Sequence, residues 1–142
     1  MARIYLASSW RNEEQPAYVA RLRSEGHEVY DFRNPPTGTG FAWSEVGLDD
    51  PRPSVEAYKA ALAHPRAQAA LDSDFGGMRW CDTLVLLLPC GRSAHLEAGW
   101  AAGAGKRTII LLDDGEPELM NLLADELVVS TDELVALLGS MP

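Results

Sequence analysis

Glu97 follows an apolar run at residues 83–88 that Pro89 and a Cys-Gly-Arg turn close, and Ser93 can cap a helix starting between them. On that reading Glu97 falls in a first helical turn at the carboxyl edge of a buried strand, where the positive helix end favours an ionised carboxylate. Ionised is what a carboxylate nucleophile must be, although helix dipoles recruit first-turn acids for stability alone. Asp72 and Asp74 precede the same apolar run and Asp82 opens it. Carboxylates from two segments could thus meet at one cleft as nucleophile and proton donor; Asp82, at the strand entrance, reads as structural. Ser8, Ser9 and Arg11 form a second group, whose hydroxyls, backbone N–H groups and guanidinium suit a sugar or a phosphate. A solvated loop with a capping role explains them equally. Trp10, Phe41 and Trp43 could stack on a flat base, or plug the core.

These residues must be positioned by an alternation of strand-length apolar runs with segments of helical period, the pattern of a βαβ architecture. Strands are expected at residues 3–7, 27–32, 83–88, 106–112 and 127–130. Helices are expected at 13–25 with Gly26 as C-terminal cap, from Ser54 to about 63, from Pro65 toward Trp80, from Ser93 to about 104, and at 116–124 and 132–138. Glycines 99, 103 and 105 read as a small helix face that lets α-helix and sheet approach closely. Residues 33–53 are rich in Pro, Gly and Thr without a sustained period, as in a functional loop or lid. Strands interleaved with helices in this way predict an α/β doubly wound, five-stranded parallel sheet with its ligand site at the carboxyl strand ends near the topological switch point. The segments after the first three strands, at 8–12, 33–53 and after Leu88, converge there.

Composition narrows the choice of ligand. The 142 residues are 46% hydrophobic and 23% charged, the profile of one globular domain, here taken as 1–142. Twelve Lys+Arg against 21 Asp+Glu give a net charge of −9, the wrong sign for gripping nucleic acid or an anionic membrane. No apolar run approaches the roughly 20 residues of a spanning helix, and the opening residues show no basic-then-apolar leader, so a cytoplasmic protein is expected. Cys81 and Cys90 read as free thiols, and His27, His64 and His95 are too dispersed for a metal pair, so no metal is expected. The lone G-x-G, Gly38-Thr39-Gly40, has Trp43 where a third glycine belongs, and no P-loop is present; no cofactor is expected.

Three groups of residues together resemble the nucleoside 2-deoxyribosyltransferase superfamily, which includes the deoxynucleoside 5′-monophosphate N-hydrolases. They are Tyr5-Leu-Ala-Ser8-Ser9-Trp10-Arg11, Asp74-Phe-Gly-Gly-Met-Arg-Trp-Cys-Asp82, and Gly91-Arg92-Ser93-Ala-His-Leu-Glu97-Ala-Gly99 with Gly105-Lys106. The likeness runs from residue 4 to about residue 124. It implies a flavodoxin-like homo-oligomer, a homodimer or larger, in which Glu97 attacks C1′ to form a glycosyl-enzyme ester, Asp74 moves the proton on the base, and Tyr5 orients the nucleophile. It also implies that a neighbouring subunit completes the pocket through Pro117-Glu118-Leu119-Met120 at the sugar 5′ end, with Gly91, Arg92 and Ser93 in the sugar-binding turn.

Members that transfer the sugar tend to carry an amide where this chain has Glu118, and the monophosphate hydrolases a hydroxyl. A carboxylate there repels a phosphate dianion yet accepts from a 5′-OH, whereas Arg11 matches a phosphate-contacting arginine. The reading taken is cleavage of the N-glycosidic bond of a (deoxy)nucleoside with transfer of the sugar to another nucleobase. The alternatives are a nucleoside 5′-monophosphate N-glycosidase and a noncatalytic nucleotide or nucleoside sensor. A flavodoxin-like interaction module lacking a small-molecule site is weaker still.

Overall fold

The computed structural model describes residues 1–139. Five strands, β1 (Arg3–Ala7), β2 (Glu28–Tyr30), β3 (Thr83–Leu87), β4 (Arg107–Leu111) and β5 (Glu126–Val128), form one parallel sheet in the order β2-β1-β3-β4-β5. That is the flavodoxin-like α/β order, with its switch point between β1 and β3. The helices are α1 (Gln15–Ser24), α2 (Val55–Leu62), α3 (Pro65–Trp80), α4 (Arg92–Gly103) and α5 (Thr131–Gly139).

Strand periodicity decides which side chains reach which layer. Ile4, Leu6, Val85, Leu87, Ile109 and Leu111 point to one face, where they pack with Val19 and Leu22 of α1 and Leu134 and Leu138 of α5. Tyr5, Ala7, Tyr30, Leu84, Leu86 and Ile110 point to the other, against Met78 of α3 and Ala94, Ala98 and Ala101 of α4. β3 is buried along its whole length, as a central parallel strand covered on both sides must be.

Several boundaries differ from expectation for local reasons. Gly91, not Ser93, is the N-cap of α4, so that helix begins earlier and Glu97 sits beyond its first turn. Alanines 94, 98 and 101 provide the small face toward the sheet, while Gly99 and Gly103 are exposed with open space around them. The segment 116–124 is not an α-helix: a short 3-10 turn spans Leu119–Leu123, with Glu118 accepting from the Met120 N–H at 3.0 Å. Its apolar residues are almost consecutive and none is buried, so no continuous stripe anchors a longer helix. The Ser54 cap and the Pro65 start are as expected, the Ser54 hydroxyl accepting from the Ala57 N–H at 3.1 Å.

The long connection after β2 is tied down by two arginines. Arg33 donates to the carbonyls of Trp10 (2.8 Å) and Asn12 (2.9 Å), and Arg66 of α3 donates to the carbonyls of Thr39 and Gly40 and to the Glu45 carboxylate. Gly40 is required by close approach, since a Cβ there would lie 2.5 Å from the Trp10 ring and 3.1 Å from the Arg33 carbonyl. Gly40→Ala should therefore lower the urea midpoint by the equivalent of about 1–3 kcal/mol, the usual cost of overpacking. An unchanged midpoint would mean that the Trp10 ring is free to move aside.

Candidate active site

The candidate centre is built where the α3–α4 layer meets β1 and β2. Tyr5 and Tyr30 are register partners on adjacent parallel strands, so alternation sends both rings to the same face. The rings stack at 5.0 Å between centroids and 8° between planes, and both are buried. The Tyr5 hydroxyl donates to Glu97 Oε2 of α4. The Tyr30 hydroxyl donates to Asp74 Oδ1 of α3 at 2.8 Å and also pairs with Ser73 Oγ at 3.0 Å. Helical spacing explains the two acids: Glu97 adjoins Ala98 and lies one turn from Ala94 and Ala101, while Asp74 precedes the buried Met78 by one turn.

Electrostatics follow from this burial. The Glu97 carboxyl is pushed up to about 7, chiefly by desolvation; the Tyr5 hydrogen bond opposes the rise and the Asp74 charge adds to it. Asp74 is also raised by burial, against the pull of the Tyr30 hydrogen bond and the Arg66 charge. Burial, followed by the charges of Glu97 and Asp74, holds the Tyr5 phenol far above its ordinary range, which keeps it a hydrogen-bond donor. The expected dipole-favoured carboxylate is therefore corrected. Glu97 is a desolvated acid near neutrality, the type of group that can serve as a nucleophile once ionised.

The structure thus unites Tyr5, Glu97 and Asp74, and it adds Tyr30, which carries no motif. The pairing of β1 with β2 was its one available signal. Ser8 is committed internally, donating to the Leu87 carbonyl at 2.9 Å and accepting from Asn12 Nδ2 at 3.1 Å. Ser9 accepts from the Arg11 N–H, closing a turn. Trp10 packs edge-on against Phe32 beneath the Arg33 guanidinium. Phe41 and Trp43 join Tyr58 in an edge-on aromatic cluster, with Arg66 over Phe41. These aromatics therefore pack among themselves, with Trp10 and Trp43 about half exposed.

Gly91, Arg92, Glu118 and Met120 line a separate cleft of about 870 Å³ between α4 and the 113–124 segment. Tyr5, Asp74 and Glu97 are not among the residues that line it. Ser93 follows Arg92 in the exposed first turn of α4. Among the described residues, the guanidinium groups of Arg11 and Arg92 have no hydrogen bond or ion pair. Cys90 Sγ lies 3.4 Å from His95 Nδ1, but burial and the Asp113 and Glu97 charges push its thiol up to about 11, so it is a poor nucleophile. Asp82 is structural, its carboxylate accepting from the Arg3 N–H and the Thr83 hydroxyl. Lys106 Nζ donates to the Arg79 and Cys81 carbonyls, fastening the end of α3 to the start of β4. No described helix is long and apolar enough to cross a membrane.

No protein-family model matches the chain, and neither does any curated protein sequence. Solved structures do. A 2-deoxyribosyltransferase from Bacillus psychrosaccharolyticus aligns over 93% of this chain and 89% of its own, at 19% identity and a TM-score of 0.61. A CMP N-glycosidase from Clostridium botulinum aligns over 96% and 97%, at 16% identity and a TM-score of 0.56. A conserved protein from Enterococcus faecalis aligns over 94% of both chains, at 15% identity and a TM-score of 0.58. At these identities the likeness is one of fold, and it extends over nearly the whole chain.

Proposed function

We propose that this chain is an N-glycosidic-bond enzyme of the nucleoside 2-deoxyribosyltransferase superfamily, acting on (deoxy)nucleosides and passing the sugar to another nucleobase. The observation that carries the reading is the tyrosine-held pair of half-buried carboxylates, Glu97 on Tyr5 and Asp74 on Tyr30. The fold shared with a deoxyribosyltransferase and an N-glycosidase supports it. Ionised Glu97 attacks C1′, the base leaves with the electron pair of the glycosidic bond, and Asp74 supplies the proton that the departing nitrogen takes up. The glycosyl ester then yields to a second base. Incubation with a deoxynucleoside and a different free base should produce the exchanged nucleoside; absence of both exchange and free sugar across a panel of nucleosides and monophosphates would overturn the reading.

A nucleoside 5′-monophosphate N-glycosidase is the second reading, favoured by the unpaired Arg11 and Arg92 guanidiniums. Paired nucleosides and monophosphates in the same panel separate the two, because Glu118 disfavours and the arginines favour a phosphate.

A neighbouring copy completes the pocket. Glu118 and Met120 line a cleft that the carboxylates of their own chain do not line, and Leu119, Leu122 and Leu123 beside them are exposed, as suits an interface between copies. Leu122→Asp should give a monomer in sedimentation velocity and lower turnover roughly tenfold or more, because substrate positioning is lost with the partner. A fully active monomer would show that each pocket is complete in one chain.

A further inference from the structure

We propose that Tyr30 is a positioning residue for Asp74, and that the stacked Tyr5–Tyr30 pair sets the two carboxylates as one unit across β1 and β2. The inference rests on the N-glycosidic reading above and names a residue within that site. Its basis is geometric. The Tyr30 hydroxyl donates to Asp74 Oδ1 at 2.8 Å, and its ring lies almost parallel to that of Tyr5, whose own hydroxyl holds Glu97. One aromatic stack therefore carries both acids, so a shift of either ring moves a carboxylate.

The neighbouring helix is shaped to admit the ring. Gly77 follows Asp74 by three residues on the inner face of α3, and a Cβ there would lie 2.6–2.9 Å from Tyr30 ring atoms. Only glycine lets the helix approach closely enough for the hydroxyl to reach Asp74. The second contact, to Ser73 Oγ at 3.0 Å, fixes the phenol from the same helix.

The groups around Asp74 define what this contact does. Tyr30 approaches from β2, Tyr5 from β1 and Glu97 from α4, while Arg66 lies on its own helix. Burial disfavours the ionised form of Asp74. The Tyr30 hydroxyl and Arg66 oppose it, and of these two only Tyr30 touches the carboxylate. Tyr30 thereby aims the carboxyl and offsets part of the rise that burial gives its proton affinity.

Tyr30→Phe keeps the ring stack and removes only the hydroxyl. Asp74 would be titrated by NMR in protein made with isotope-labelled aspartate, with Asp74→Asn identifying its resonance. The midpoint should move up by about a unit in Tyr30→Phe, kcat should fall about tenfold, and KM should stay within about twofold because no substrate contact is removed. The pH limb that vanishes in Asp74→Asn should move upward with the midpoint. An unmoved midpoint in folded Tyr30→Phe would overturn the proposal, as would a moved midpoint with unchanged kcat. Failure of the N-glycosidic reading shows elsewhere, as absence of both exchange and free sugar from the original protein across the panel of nucleosides and monophosphates, so the two failures are distinguishable.

Discussion

Glu97→Ala should lower nucleoside cleavage and base exchange by at least about a thousandfold, with the folded protein and its nucleoside affinity retained. The magnitude follows from what the carboxylate is asked to do. Departure of the base leaves positive charge on the sugar, and a carboxylate beneath C1′ both neutralises it and captures the sugar as an ester. A water held by the freed Tyr5 hydroxyl does not replace the carboxylate, because it carries no charge to neutralise the sugar and forms no ester with it. In the intact protein the Tyr5 hydroxyl donates to Glu97 Oε2, which leaves Oε1 as the oxygen free of that bond. Tyr5→Phe should accordingly cost less than Glu97→Ala, since it frees the nucleophile without removing it. The comparison also separates an enzyme from a sensor. A sensor would bind nucleoside with no turnover in either protein, and Glu97→Gln would bind at least as well as the original. Retained turnover in a folded Glu97→Ala protein, measured by release of free base, would exclude the glycosyl-ester mechanism.

Much of the layer carrying this chemistry can be read from the chain because period-two alternation is strict in β1 and β3. Tyr5 and Leu84 must share a face once Ile4 and Val85 take the other, and the structure places them so. The resemblance singled out Asp74, and the structure seats it opposite Glu97, one turn before the buried Met78. Tyr30 is not legible in the sequence because its role depends on the register between β1 and β2 and on space left by Gly77, neither of which is encoded in a local spacing. The ionisation of Glu97 departs from the helix-end expectation for a related reason. A helix-end argument sees only the backbone of α4, whereas the carboxyl responds to removal of water by Tyr5 and the sheet, and to the Asp74 charge. Residues 116–124 do not form the expected helix because their apolar composition comes without a buried stripe to select it. The functional role proposed for that segment lies between copies, where the pattern of a single chain carries least information.

Glu97→Gln should stabilise the protein above neutral pH while abolishing turnover, and the sign of the effect is set by the raised Glu97 carboxyl. Its ordinary value of 4.5 rises to about 7 in the folded state, so between those limits the native chain binds more protons than the unfolded one. Stability contributed by the protonated form is fully present below about 4.5, declines as pH rises through the interval, and is gone above about 7. With about 1.36 kcal/mol per pH unit, the penalty at pH 8 reaches at most about 3.4 kcal/mol, and the Asp74 coupling and partial solvent access make about 1–2 kcal/mol the better expectation. The amide never ionises, so urea midpoints of Glu97→Gln and the original protein should nearly coincide at pH 5 and separate by pH 8, with the variant higher. Catalysis runs the opposite way. The nucleophile must be ionised, so the ascending limb of kcat/KM against pH in the original protein should have its midpoint near 7, while Asp74, which must hold its proton, sets the descending limb. The same carboxylate thus destabilises the fold in the range where it reacts, which is the expected signature of a buried group kept for chemistry rather than for packing. If the two midpoints stay equal from pH 5 to 8, Glu97 is solvated in solution and the desolvated nucleophile is excluded.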